Sequence, residues 1–553
     1  MKEFLPIKHM LSKRVVIPVV ITLICLCPFA GKAFHIDDPM FIWSAKQIQI
    51  NPVDFYGFSV NWSGTELPMV EMMQNPPVAC YYIALAGSVF GWSEIALHLA
   101  FLIPAVAAVI GIYYLARQFC SLPVLATLAA VLTPVFLVSS TNTMCDTMML
   151  ALWVWAVVLW VRGIKADKQL NLFCAALLIA ICALTKYFGM ALLGLLFVYS
   201  LMQKRTLGCW ALFLLIPVII LAGYEWATYT FYGTGLLSDA TSFAAQERWI
   251  LNARVLSKGI VSLSFAGGCI ITALFYSPLL WSRRVLAGGI VLTILFIFTI
   301  ISLGEMGVLS NHRNTNGIRW SFLLQLGLMA VSGVSLLGLA GTDFWRHRDA
   351  DSMLLLLWMF GTFAFTGFIN WMICARNILP MVPVGGILMM RQIDHRRKDE
   401  RCWGRNWCVS LPLVPAALVA LLVCWADCTL ANTARTAAGV INEKLENRSD
   451  GAIWFQGHWG FQYYMEAGGG RALDFKRSKP LPGDIIIVPS NNSMVNLSKE
   501  SMYLSEIFEF TPFKWLATMN HSLGAGFYAD VWGQLPFAIG KVEPEKYSAF
   551  IVR

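Results

Sequence analysis

Long apolar runs separated by short polar ones dominate this chain, at spacings that predict membrane helices. A hydrocarbon core of about 30 Å takes roughly 20 apolar residues to cross as a helix. Runs near that length lie at 14–33, 94–116, 121–139, 146–163, 170–186, 188–203, 207–225, 258–280, 285–303, 319–341, 352–372, 376–391 and 407–429. The pattern predicts an α-helical polytopic membrane protein with about thirteen transmembrane helices. One further run, 76–91, is apolar but short and opens with Asn75-Pro76-Pro77.

The distribution of Lys and Arg settles that short run. Basic residues concentrate in cytoplasmic loops. With Lys2, Lys8, Lys13 and Arg14 inside, thirteen helices put Arg117, the Arg162/Lys165/Lys168 group, Lys204-Arg205, Arg283-Arg284, Arg346/Arg348 and the basic stretch 391–405 on the cytoplasmic side. A crossing at 76–91 would turn every later cluster outward. The run is therefore expected at the interface or re-entrant, within a first external loop spanning 34–93. A basic start before an apolar run also fits a signal peptide. The run at 14–33 is longer than a usual signal core, so an anchored first helix is expected, with the same topology either way.

Composition agrees with the pattern: 58% of the 553 residues are hydrophobic and 13% charged, against roughly 25% charged in soluble domains. Mean hydropathy is +0.64. The net charge of +9 is spread over short inter-helix clusters rather than one polar face, which argues against a nucleic-acid partner. Most of the 14 cysteines lie inside apolar runs, and none follows Cys428; neither a disulfide framework nor a zinc spacing results. Cys424 and Cys428, four apart, are expected to pack.

The tail differs in kind. Residues 451–464 read GAIWFQGHWGFQYY and 482–490 read PGDIIIVPS, a turn and a short buried strand. The expected organisation is a membrane domain over 1–429 and a small extracytoplasmic α/β domain over 430–553.

Under this topology the acidic groups near span ends gather on the outer side. The pair Asp37-Asp38 follows the first span directly, and carboxylates held at a membrane edge have a charge to use. Nucleotide-activated sugars are made in the cytoplasm, so a sugar donor on the outer side would be carried on a membrane lipid phosphate. Its transfer needs a carboxylate to take the acceptor's proton and cations to hold the departing phosphate. Asp37 is the candidate base, with Asp38 orienting it or binding a divalent cation; alternatively Asp-Asp-Pro only ends a helix. Asp146 opens the fourth span, as an active-site acid or an N-cap. Lys186, between two runs with almost no loop, and Arg376, before Asn377-Ile378-Leu379-Pro380, are candidates for the donor phosphate, with snorkelling to the headgroups as the rival role. Arg248, in the polar loop 226–257, is a weaker candidate. Most outer-face aromatics, among them Tyr81, Tyr82, Trp62 and Trp371, are expected to anchor the interface.

These pieces in this order resemble the GT-C superfamily of lipid-phosphate-dependent glycosyltransferases, especially the family 39-like branch of protein O-mannosyltransferases and the lipid A aminoarabinose transferase. The shared features are Asp37-Asp38 in the first external loop, Asn75-Pro76-Pro77 leading to Tyr81-Tyr82, Asp146 after the third span, Leu184-Thr185-Lys186, and Arg376 with Leu379-Pro380. The likeness covers about residues 10–390. It implies that Asp37 is the catalytic base, Asp146 an active-site acid and Lys186 a phosphate ligand. The chain departs from the family at Gln74-Asn75, where relatives carry an acid and Lys, and at Asn377, where they often carry an aromatic.

The expected function is transfer of a sugar from a polyprenyl-phosphate donor to a lipid, glycan or protein acceptor at the outer face of a bacterial inner membrane, with the N-terminus cytoplasmic. A divalent cation is compatible with the acidic pair. The rival readings are a transporter or lipid flippase, which favours ionisable groups near the bilayer midplane, and a non-catalytic envelope assembly protein.

Overall fold

A computed structural model describes residues 14–251, 255–303, 313–314, 317–399, 406–446, 451–492 and 502–553. Helix occupies all thirteen apolar runs, but not as thirteen unbroken spans. Among the described residues eight helices are long and apolar enough to cross a bilayer, from Glu94–Phe119 to Cys408–Leu445, and a ninth results if Val255–Cys269 and Thr272–Leu280, bent by 85°, count as one. The shortfall has local causes. The first run gives only α1 (Val16–Leu26), which tightens into a turn containing Pro28. The run 121–139 is split before Pro134 into Pro123–Val131 and Pro134–Ser139, and that at 376–391 resumes only after Pro380. Proline lacks the N–H that a helix interior needs.

Between α1 and the helix Glu94–Phe119 run α2 (Asp38–Ile50), a hairpin of β1 (Ser59–Asn61) with β2 (Glu66–Pro68), and α3 (Val78–Phe90). Thirteen residues of helix reach only about 20 Å, too short to cross. The fourth span, α4 (Asp146–Ala166), packs along α5 (Gln169–Thr185). Arg283–Ser302 lies at the periphery, with Ile290, Leu292, Leu295 and Phe298 all more than half exposed; such a surface is stable only against lipid. The protein is an integral membrane protein.

Helices approach closely where glycines meet. A Cβ on Gly267 would lie 1.9 Å from the Met329 carbonyl oxygen, and one on Gly333 would lie 2.2 Å from that of Leu263. Small residues let two membrane helices pack backbone to backbone.

The last long helix, α6 (Leu413–Glu446), has 34 residues, about 51 Å at 1.5 Å per residue. The division expected at 429/430 thus falls inside one continuous helix. Its far end joins a five-stranded sheet of β3 (Ile453–Phe455), β4 (Arg471–Ala472), β5 (Ile485–Pro489), β6 (Met502–Phe510) and β7 (Glu545–Val552), in the order β4-β3-β5-β7-β6. β3 runs parallel to β4 and β5, whereas β7 is antiparallel to β5 and β6. Ala437, Ala438, Ile441 and Leu445 of α6 share a core with Phe455, Phe461 and Ile487. The segment joining β6 to β7 does not stay with the sheet. It returns to the membrane domain, where Ala375 donates to the Phe527 carbonyl at 2.8 Å and Asp530 accepts from the Ile373 amide at 3.1 Å.

Candidate functional site

The chain leaves α1 in a tight turn. Ile36 is buried with φ +48°, a conformation that β-branched residues rarely adopt, and the strain sits immediately before the acidic pair. Asp38, fully buried, accepts from the His35 amide and from the Thr143 amide, each at 2.8 Å. Burial pushes its carboxyl up to about 6, against the opposing pull of Lys32 and of those two amides. Asp38 therefore stitches the first loop to the loop before α4. Each of its oxygens holds one of these amides, and Asp38 does not line the cavity that Asp37 enters. No group of three or more His, Cys, Asp or Glu able to hold a metal occurs among the described residues.

Asp37 faces the opposite way, into a cavity of about 630 Å³ that also receives Asp146, Lys186 and Arg376. Four of the expected site residues thus converge from four parts of the chain. Asp37 accepts from Arg376 Nη2 at 2.8 Å, and Asp146 accepts from Lys186 Nζ at 2.6 Å. Arg376 Nη1 lies 3.9 Å from Asp146 and couples the two pairs. Asp146 is the first residue of α4, whose N-cap is Cys145; its side chain is 2% exposed and depends on its cations. Lys186 ends α5 in extended conformation, directly before a short turn. That break aims its side chain inward to a carboxylate rather than outward to headgroups. Arg376 follows a stretch where the preceding helix widens, Asn370 donating five residues back to Phe365, a distortion common at functional sites.

Several contributors carry no strong sequence signal. Asn377, read as a departure from the family pattern, accepts from Lys186 Nζ at 3.1 Å. Arg376 stands over the ring of Tyr528, 5.6 Å away, and nothing in one sequence joins positions 152 residues apart. The Tyr528 hydroxyl donates to Asp427 Oδ2 at 2.9 Å, and the same oxygen pairs with Lys32 Nζ at 2.6 Å. This buried set ties the turn after α1, α6 and the returning segment together beneath the site. Arg376 Nε is buried and without a hydrogen-bond partner among the described residues.

The cavity walls are largely apolar and aromatic, with Phe41, Trp62, Phe188, Phe243, Phe365 and Trp371 among the lining residues. Asn75 lines the cavity, while Tyr82 donates to the Ala100 carbonyl at 2.6 Å and Tyr81 to that of Pro52. Arg248 belongs to the helix Leu236–Leu251, but its side chain lies outside the described residues.

Residues 74–229 match the family described as dolichyl-phosphate-mannose-protein mannosyltransferase. The matched segment contains Asp146 and Lys186, and it bears out the resemblance to GT-C glycosyltransferases. Among solved structures, ArnT from Cupriavidus metallidurans bound to undecaprenyl phosphate is 12% identical, over 88% of this chain and 94% of that one, with a TM-score of 0.48. The oligosaccharyltransferase of Archaeoglobus fulgidus, tethered to an acceptor peptide, is 13% identical over 84% of this chain and 64% of its own, with a TM-score of 0.46. These likenesses are distant. No curated protein sequence matches the chain.

Proposed function

For a membrane protein that carries this GT-C glycosyltransferase segment, we propose transfer of a sugar from a polyprenyl-phosphate donor to an acceptor hydroxyl on the extracytoplasmic side, the side of the α/β domain. The observation that carries the reading is the convergence of Asp37, Asp146, Lys186 and Arg376 on one aromatic-walled cavity. A proton acceptor and two cations lie within reach of one reacting centre, beside a surface suited to an isoprenoid.

In the proposed step Asp37 takes the proton of the acceptor hydroxyl as its oxygen attacks the anomeric carbon. The bond from that carbon to the phosphate oxygen breaks with inversion, and the lipid phosphate leaves with the electron pair. Arg376 and Lys186 stabilise the charge that develops on it. Arg376 Nε, buried and without a protein partner among the described residues, supplies a further donor to the phosphate. Asp146 holds Lys186 and the far side of Arg376 in place, which keeps the cations oriented before the donor arrives.

The test is transfer of radiolabelled sugar from polyprenyl-phosphate carriers in membranes supplied with envelope glycolipids and proteins. Asp37→Asn is expected to lower transfer by about 10²–10⁴-fold, the usual contribution of a general base, with membrane insertion unchanged. A fully active Asn variant would overturn the role given to Asp37.

A further inference from the structure

Beyond the reacting cavity, an open groove of about 670 Å³ lies between the first loop and the α/β domain. Trp43 and Trp454 line it, together with Lys46, Asn61, Glu466 and Lys479. Beside it lies a neck of about 20 Å³, room for one hydroxyl or water, whose lining overlaps that of the groove and that of the reacting cavity. Trp62 lines both the neck and the cavity, and Asn61 lines both the neck and the groove. Trp43 meets Trp62 edge to face at 6.1 Å.

The neck is built for a polar guest. Gln456 is 5% exposed, yet neither its amide nitrogen nor its amide oxygen has a partner among the described residues; the Asn492 carbonyl and the Asn61 amide nitrogen are likewise unpartnered. Buried amides left without partners are costly, and hydroxyls are groups that satisfy donors and acceptors together.

Charge in the groove is unevenly committed. Asp474 spends its oxygens on the amides of Glu66, Lys476 and Arg477, and Glu66 pairs with Arg477. Glu466 accepts from Gln462, and burial pushes its carboxyl up, towards the neutral form. Lys46 has no carboxylate partner among the described residues; its ammonium stands 5.5 Å from the rings of Trp92 and Tyr463. Lys479 has none either. The uncommitted charge is positive.

Resting on the glycosyltransferase reading above, we propose that this groove binds the acceptor, and that the acceptor is an anionic saccharide. Its ring packs against Trp43 and Trp454, its acid group meets Lys46 and Lys479, and one of its hydroxyls reaches into the neck beside Trp62, which also lines the cavity of Asp37. Aromatic walls with a few convergent polar groups are the general form of such a site, and charge complementarity selects the acid.

Tryptophan fluorescence of the full chain in nanodiscs reads binding without catalysis. The probes are trigalacturonic acid and its methyl ester, and a glucosamine disaccharide bisphosphate beside its unphosphorylated form, so that carboxylate and phosphate are separated. At least one acid is expected to bind about tenfold or more tighter than its neutral counterpart. Lys46→Gln and, independently, the surface variant Lys479→Gln should reduce that preference, and Lys46→Arg should keep it. Equal binding of acid and neutral forms, an undiminished preference in both Gln variants, or no binding by any of the four overturns the proposal. Because Asp37→Asn should bind like the wild type, the two readings fail separately. Selective binding without sugar transfer from any polyprenyl phosphate removes the catalytic reading, and transfer without selective binding removes this one.

Discussion

Adjacent carboxylates have opposite duties at the mouth of α2, and sequence alone could not divide them. Asp37 opens on the cavity, whereas Asp38 holds two backbone amides. In Asp38→Asn the amide can accept one of those bonds but presents a donor to the other N–H. An unpaired buried donor costs about 1–3 kcal/mol, so the variant should melt lower, with transfer reduced because the turn carrying Asp37 loosens. The pH dependence follows in sign. With its folded value raised to about 6, Asp38 favours the fold in its neutral form; its contribution is full below about pH 4 and is lost as pH rises through about 6. The melting temperature between those limits should fall more steeply with pH in the wild type than in the Asn variant, because Asp530, which burial also raises to about 6, contributes equally to both. For Lys186 and Asp146 the expectation is coupling. Lys186→Met strands a buried carboxylate and should cost about 3–5 kcal/mol, while Lys186→Met with Asp146→Asn should recover most of it. Equal losses in the single and double variants would contradict the pairing. The residue types of the site were legible because charges are rare in apolar sequence. Their pairing was not, since Asp37 and Arg376 meet across 339 positions.

At the scale of elements, hydropathy located the apolar helical runs but not their continuity, and it missed the more polar helices Asp38–Ile50 and Leu236–Leu251, the latter in a stretch expected as a loop. Thr133-Pro134 and Pro380 interrupt apolar stretches that hydropathy reads as whole, and the 85° bend after Cys269 has no proline at the break to announce it. The crossing of Val255–Cys269 with Trp320–His347 depends on space only glycine leaves. Gly333→Ala forces a methyl towards the Leu263 carbonyl and should cost about 1–3 kcal/mol through overpacking. Gly341, on the same helix, has open space around it; alanine there should be neutral or stabilising by about 0.5–1 kcal/mol. Melting of the two variants in detergent checks the contrast, and equal behaviour would show that the crossing tolerates separation.

Over the whole molecule, the reacting cavity is shared property. The membrane domain supplies the charges, but the α/β domain holds the turn that carries Asp37. The Phe34 amide donates to the Tyr464 hydroxyl at 2.8 Å, and a Cβ on Gly460 would lie 2.0 Å from the Phe34 carbonyl oxygen. Gly460→Ala should therefore lower transfer several-fold without touching the cavity, whereas Gly439→Ala, in open space on α6, should leave it unchanged; label transfer in membranes decides. The tail's α/β character was readable from its short strands and turns. Its partnership with the membrane domain was not, because Lys32, Asp427 and Tyr528 are unremarkable one at a time.

The strand order β4-β3-β5-β7-β6 carries a consequence for biogenesis. Glu545–Val552 bridges two strands that are synthesised earlier and lie on either side of it. While the ribosome is still making the chain, β5 and β6 have no common neighbour, and the segment that brings Tyr528 beneath Arg376 is tethered at one end only. The sheet closes, and the segment that sets Tyr528 against Arg376 is tethered at both ends, only once residues 545–552 have been made. Products that stop before Glu545 but retain every charged residue of the cavity are therefore expected to be inactive in the transfer assay, and to regain activity only when Glu545–Val552 is present.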